Sequence, residues 1–144
     1  MRTAQEIKDL IDKAGLGDMM AALADTPEPN ARIIPALGIL IISKGLVELL
    51  SDEELIAVLL HEKSHLDRED LRSNGACHGF EPRDVALLRE RLADQDAADD
   101  LDEMGIGRAA LESAIKKVAE ALHLDFMRDQ EEHPSVKDRL EAIK

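Results

Sequence analysis

Five consecutive residues, His-Glu-Lys-Ser-His at 61–65, have the types and spacing of a metal-dependent hydrolytic site. Residues four apart on an α-helix share a face, so the imidazoles of His61 and His65 can reach one ion, while Glu62 stands about 100° round the helix beside it. Apolar residues flank the string on both sides, which favours burial over two surface histidines with a solvated glutamate. The pattern is typical of zinc hydrolases in which the glutamate is the general base.

A catalytic zinc needs three protein ligands and an open position, so a third ligand must come from elsewhere in the chain. Glu90 is the candidate, because it takes an inward position of a predicted helix that otherwise carries Leu and Ala, where an unpaired carboxylate is costly. Asp94, one turn further on, can accept the N–H of a ligand histidine and fix its tautomer. The alternative is a solvated acidic face paired with neighbouring arginines. The prediction is one zinc per chain, held by His61, His65 and Glu90.

Two helices must position these side chains, and capping signals predict where they run. Ser51 and Glu54 have the spacing of a capping box, which predicts a helix through the histidines to about Asp70. Pro82 suits the first turn of the helix that carries the third ligand, whose inward stripe has spacings of three and four residues. Residues 73–80 contain two glycines and predict a loop between the two helices.

The rest of the chain predicts further helices and two short strands. A capping-box spacing near the start predicts a first helix, and a second short helix is predicted at Asp18–Ala24. The β-branched stretch Ala31–Ser43, interrupted by a Pro-to-Gly turn, predicts two strands. Apolar spacings predict two more helices, at 108–124 and from Pro134 onward.

The predicted fold class is therefore α+β: a mostly helical single domain with a small β-hairpin or sheet before the active-site helix. A chain of 144 residues has the length of one domain, so we expect residues 1–144 to form a single domain. We divide it into N-terminal helices (1–30), a zinc-binding core (31–103) and C-terminal helices (104–144). Because there are only two aromatic residues, the core must be aliphatic.

Charge and composition exclude several classes of function. The 31 acidic and 18 basic residues give a net charge of −13, which repels nucleic acids and anionic membrane surfaces. No apolar run approaches the roughly 20 residues that cross a bilayer, and the start does not resemble a signal peptide. We expect a cytoplasmic protein that acts on a peptide or unfolded protein, with no nucleic-acid or membrane partner. Self-association into a homo-oligomer stays open.

Three segments resemble the minigluzincins, small soluble relatives of the HtpX and CAAX-prenyl membrane metallopeptidases. Ile39–Leu66, ILIISKGLVELLSDEELIAVLLHEKSHL, is similar to that family's strand, Gly-Leu turn and active-site helix. Arg89–Ala97, RERLADQDA, is similar to its glutamate helix, with the family's zinc-binding Glu and following Asp at Glu90 and Asp94. His133–Ile143, HPSVKDRLEAI, is similar to its closing segment. Together the segments cover about half the chain.

The resemblance implies a gluzincin-type endopeptidase with the substrate peptide antiparallel to the strand before the active-site helix, here within Gly38–Ser43. It points to His133 or Arg139 in the closing segment as a further donor to the developing oxyanion. For His133, a capping or surface role is the alternative. Lys63 stands where relatives have a small or apolar residue, which predicts a more exposed helix face. The lack of predicted transmembrane helices argues against membrane-embedded or prenylated substrates.

The expected activity is zinc-dependent peptide hydrolysis with Glu62 as general base. The alternative from another class is a catalytically silent, zinc-containing peptide-binding or regulatory domain whose cleft is plugged by a terminal segment. A third reading is a purely structural domain without metal. Cys77 and His78, in the predicted loop between the ligand-bearing helices, could supply a zinc ligand in a latent state, or be a small buried thiol and a loop histidine.

Overall fold

The computed structural model describes residues 2–68, 83–124 and 135–144, in which six α-helices pack with a three-stranded sheet. This arrangement confirms the predicted α+β class. The elements follow one another as α1 (Ala4–Lys13), β1 (Met20–Ala24), β2 (Ala31–Ile34), a 3-10 turn (Pro35–Leu37), β3 (Ile39–Ser43), α2 (Lys44–Leu49), α3 (Asp52–Asp67), α4 (Arg83–Glu103), α5 (Ala109–Ala121) and α6 (Val136–Ala142).

Helix α3 is the centre of the fold. It begins with the predicted capping box, in which the Ser51 Oγ accepts from the Glu54 N–H at 3.3 Å and the Glu54 side chain accepts from the Ser51 N–H at 2.8 Å. Its buried residues lie on nearly all sides, because α1, β2, α4 and α5 all pack against it. The helix ends at Asp67, and the predicted loop at 73–80 lies outside the described residues.

The sheet has the strand order β1-β3-β2. Strand β2 pairs antiparallel with β3, from Ala31 opposite Ile42 to Ile34 opposite Ile39, which confirms the two predicted strands and their turn. Gly38 ends the turn with a φ of 63°, a left-handed conformation that favours glycine. Strand β1 pairs parallel with the other edge of β3, so β3 is the middle strand of the sheet.

The predicted helix at Asp18–Ala24 is wrong, because Met20–Ala24 is strand β1. Its Met, Ala and Leu residues favour a helix when the segment is judged alone. In the folded protein, the exposed edge of β3 offers hydrogen-bonding partners, and pairing with it overrides that local preference. The described residues of the predicted N-terminal segment, 2–30, therefore contain one helix and one strand rather than helices only. The strand stays exposed, with Met20 70% accessible.

The core is aliphatic, as the composition requires, and it lies where α3 meets the sheet and the later helices. Helix α2, which the sequence did not predict, begins where the Ser43 Oγ accepts from the Leu46 N–H at 3.1 Å. The last helix, α6, is capped by Ser135 and buries Val136 and Ile143. Among the described residues, no helix combines the length and apolarity that a bilayer span requires.

Candidate metal centre

His61, His65 and Glu90 meet where α3 packs against α4. The Nε2 atoms of the two histidines are 3.2 Å apart. Glu90 faces both rings, with Oε2 2.9 Å from the Nε2 of His61 and Oε1 3.2 Å from the Nε2 of His65. One candidate ligand atom from each residue lies within 4.8 Å of the other two. Two imidazole nitrogens and a carboxylate therefore converge on one point, as the sequence predicted.

Asp94 fixes the orientation of His61 from the opposite side of the ring. The Nδ1 of His61 lies 2.7 Å from Asp94 Oδ1, and Asp94 is fully buried. Because the carboxylate is an acceptor, Nδ1 carries a proton and donates it to Asp94, which leaves Nε2 as the ring nitrogen that faces Glu90. The predicted contact between Asp94 and a ligand histidine is present in the structure.

Arg139, on α6, contacts Asp94 and is not itself one of the candidate ligands. Its Nε donates to Asp94 Oδ2 at 2.8 Å and its Nη2 donates to Asp94 Oδ1 at 2.9 Å. A two-point pair of this kind fixes the plane of the carboxylate as well as its charge. The last helix therefore reaches the metal centre through Asp94, a link that the sequence did not reveal.

The protonation equilibria show that the pocket favours positive charge. Burial opposes protonation of His61, but the carboxylates of Asp94 and Glu90 outweigh it and raise the pKa of His61 to about 10. Burial likewise opposes the charged form of His65, yet the hydrogen bond to Glu90 raises its pKa. For Asp94, burial is outweighed by Arg139 and His61, so its pKa is lowered. Buried Asp94 and the largely buried Glu90 thus favour positive charge between them.

This donor set fits zinc. Two histidines and one glutamate are the protein ligands of many catalytic zinc sites, which keep the fourth position for water or substrate. Because Nδ1 donates to Asp94, Nε2 is the His61 nitrogen that a metal would bind in place of a proton, and the carboxylates that raise the pKa of His61 would also favour a dication. No other group of three or more such side chains in the described ranges comes together closely enough to hold a metal.

Of the remaining predicted site residues, some lie near the centre and others lie outside the described residues. Glu62 is partly exposed beside His61, and its charge acts on the pKa values of His65 and Arg139, so its carboxylate lies on the same side of the fold as the centre. His133 lies outside the described residues, as do Cys77 and His78. The oxyanion role predicted for His133 or Arg139 stays a prediction, since the contact seen for Arg139 is with Asp94.

The Lys63 side chain packs near Gly15, just after α1, rather than at the candidate metal centre. Its side chain is 30% exposed and ion-pairs with Asp67 at 2.7 Å. Its stem lies over Gly15, where an added Cβ would come within 2.8 Å of the lysine Cε. The helix face at Lys63 is partly exposed.

The predicted substrate strand, within Gly38–Ser43, is wrong. Strand β3 carries β1 on one edge and β2 on the other, so it has no edge open to a peptide. The outer edge of β2, in contrast, pairs with no other strand in the part of the chain that the structure describes. Strand β2 also packs against α3. An open edge next to the helix that carries both histidines therefore belongs to β2.

The hydrogen bonds of Asn30 show which backbone groups of β2 face outward. Asn30 O accepts from the Ser43 N–H at 2.9 Å, and the Asn30 N–H donates to Ser43 Oγ at 2.9 Å. Opposed residues of an antiparallel pair alternate between bonded and non-bonded positions. The backbone groups of Ala31 and Ile33 therefore point away from β3, toward the open edge.

Comparison with known proteins adds a family. The sequence pattern of Peptidase family M48 matches residues 2–133. A protease HtpX homolog from Dictyoglomus thermophilum is 35% identical over 69 residues, which is 46% of this chain and 23% of that relative. The matched segment thus spans about a quarter of the relative's length.

Proposed function

Since the chain belongs to Peptidase family M48, we propose that it is a zinc-dependent endopeptidase with His61, His65 and Glu90 as ligands and Glu62 as general base. The HtpX-like resemblance seen in the sequence is confirmed by the family match and by the related protease. The observation that carries the proposal is the convergence of both histidine Nε2 atoms on Glu90, at 2.9 and 3.2 Å. We place one zinc per chain at that point.

Each residue around the centre has a task in this proposal. Zinc bound there would polarise a substrate carbonyl and lower the pKa of a bound water. Asp94 holds the Nδ1 proton of His61, so that Nε2 keeps its lone pair, and Arg139 neutralises Asp94 in its buried position. With Arg139 engaged in this way, His133 is our candidate donor to the oxyanion.

Glu62 is the candidate base because of its place on α3. It follows His61 directly, so its side chain projects beside the ligands rather than among them, and it is partly exposed. Its carboxylate takes the proton from the attacking water and passes it to the leaving amine nitrogen, which returns the carboxylate to its charged state. General acid–base catalysis of this kind contributes about 10²- to 10⁴-fold to a rate.

We propose that the peptide substrate adds to the open edge of β2. The outward backbone groups of Ala31 and Ile33 can pair with an extended peptide, as in other cases of β-strand addition. A peptide bound there would lie beside α3, which carries both histidines and Glu62. The choice of β2 replaces the earlier expectation for β3.

The direct test is a digest of an unbiased peptide library by the wild-type protein and by Glu62→Gln, read by mass spectrometry. The wild type is expected to cleave, while the variant keeps its zinc and its fold but loses about 10²-fold or more of the rate. Undiminished cleavage by Glu62→Gln would remove the base assignment. Zinc-loaded wild type that cleaves nothing in the library would favour the catalytically silent peptide-binding domain instead.

A further inference from the structure

A second contact between α3 and α4 lies next to the metal centre and takes no part in it. Ser64, between the two candidate histidine ligands, is buried, and its Oγ donates to Asp96 Oδ2 at 2.6 Å. Arg68 donates to the same carboxylate twice, from Nε to Oδ2 at 2.6 Å and from Nη2 to Oδ1 at 2.9 Å. Three donors, one from Ser64 of α3 and two from Arg68, the residue that caps the C-terminus of α3, thus bind one carboxylate of α4.

The position of this contact gives it a geometric consequence. Asp96 is two residues beyond Asp94 on α4, and Ser64 is three residues beyond His61 on α3. Together with apolar packing between the two helices, the contacts of Asp94 with His61 and of Asp96 with Ser64 restrict rotation and sliding of α4 on α3 more than either contact alone. A slip of one residue along α4 would move Glu90 by about 1.5 Å, whereas a metal site tolerates distance errors of about 0.2 Å.

We propose that Ser64, Arg68 and Asp96 form a positioning clasp that holds Glu90 in register with His61 and His65 for zinc binding. The three residues touch neither substrate nor metal in this proposal, and they act through the relative placement of the two helices. The inference rests on the proposed zinc site. Strength alone does not explain the contact, because the arginine pair is partly exposed and such pairs add little stability.

A matched control exists on the same helix. Asp102 also receives three donors, all from one arginine: the N–H of Arg108 at 3.0 Å, its Nε at 2.7 Å and its Nη2 at 2.6 Å. The exposure is similar, 44% for the Asp102 side chain against 36% for that of Asp96. Neither Asp102 nor Arg108 belongs to α3, so removing this pair weakens α4 without loosening its register on α3.

The experiment compares Asp96→Asn with Asp102→Asn in the full chain, with Ser64→Ala as a second variant of the clasp. Zinc affinity is measured on metal-free protein by competition with a chromophoric chelator, and the stability of the metal-free protein is measured in urea. We expect about 10-fold weaker zinc binding in Asp96→Asn, a smaller loss in Ser64→Ala, and unchanged affinity in Asp102→Asn. Bound cobalt(II), whose visible spectrum reports ligand geometry, should show an altered spectrum only in the clasp variants.

Two results would overturn the clasp. One is unchanged zinc affinity in both Asp96→Asn and Ser64→Ala; the other is an equal loss of affinity in the Asp96 and Asp102 variants, which would trace the effect to general stability. Failure of the proposed function gives a different result, because the wild-type protein would then bind no zinc at this site. That result would also reject the clasp. Normal zinc affinity in the wild type, with unchanged affinity in both Asp96→Asn and Ser64→Ala, rejects the clasp and leaves the proposed function standing.

Discussion

Each end of helix α3 packs against a neighbouring helix with a buried carboxylate at the contact. Among the described residues, only the end with His61 and His65 brings together side chains that could hold a metal. At the N-terminal end, Glu54 is 4% exposed and accepts from the Ser51 N–H at 2.8 Å and from Lys117 Nζ at 2.7 Å, and also from Ser113 Oγ. One carboxylate meets one cation and two neutral donors, so both its charge and its hydrogen bonds are matched within the protein.

Toward the C-terminal end of α3, near His61 and His65, the carboxylates have a different set of partners. Two carboxylates lie close together there: Asp94 contacts both Arg139 and His61, and Glu90 faces both histidines. The Nε2 atoms of both histidines face the same carboxylate, that of Glu90, at 2.9 and 3.2 Å. The comparison teaches that burial of an acid is not itself a sign of function. Two neighbouring carboxylates together with converging histidine nitrogens are the feature that indicates a metal site.

The largest expected effect comes from removing the glutamate at each end. Glu90→Gln should lose bound zinc and with it all peptide cleavage, because two histidines alone do not complete a catalytic site. Glu54→Gln should keep about one zinc per chain. Metal analysis after chelator-free purification decides the matter, and equal loss of zinc in the two variants would break the comparison.

The next effect is the acid sensitivity of the N-terminal end. Burial opposes ionisation of Glu54, but hydrogen bonds from Lys117, Ser113 and Ser51 lower its pKa from 4.5 to about 2. A depressed pKa stabilises the fold above the unfolded value, so this contribution is complete above pH 4.5 and is lost as the pH falls toward 2. It amounts to about 3 kcal/mol at neutral pH.

Urea unfolding of metal-free protein at several pH values between 7 and about 2 measures that contribution. Glu54→Gln should be less stable at neutral pH and should lose less stability than wild type over the acid range. Parallel curves for the two proteins would show that Glu54 is not the group responsible.

A smaller effect is expected from Arg139, which acts on the metal end through Asp94. Losing a direct partner of a ligand usually costs about 10- to 100-fold in metal affinity, and Arg139→Ala, one contact further out, should weaken zinc binding by about 10-fold. Arg139→Lys keeps the positive charge but loses the two-point contact, so its zinc affinity should lie between that of the wild type and that of Arg139→Ala. Competition titration with a chelator gives the affinities. An unchanged zinc affinity in Arg139→Ala would separate α6 from the centre.

The smallest effect is expected from Lys117, the counterpart of Arg139 at the N-terminal end. Lys117→Ala removes a charged hydrogen bond to Glu54 and should lower the free energy of unfolding by about 1–2 kcal/mol. Zinc affinity should not change, because Lys117 contacts the far end of α3. A loss of zinc affinity matching that of Arg139→Ala would show that the two ends are one coupled unit.

What the sequence could predict was local along the chain. The capping box of Ser51 and Glu54 and the inward stripe of α4 each lie within a few turns, so spacing alone placed the histidines opposite Glu90. Strand β1 could not be predicted in this way, because its pairing partner β3 is distant in sequence. The same holds for the open edge of β2 and for Arg139, which meets Asp94 across 45 positions.

The claim that one zinc sits between α3 and α4 is tested most directly by a crystal structure with anomalous data collected at the zinc absorption edge. We expect one strong anomalous peak per chain, about 2.0–2.2 Å from His61 Nε2, His65 Nε2 and a Glu90 oxygen. A zinc peak held by other residues, or none at this position in protein purified without chelators, would contradict the account.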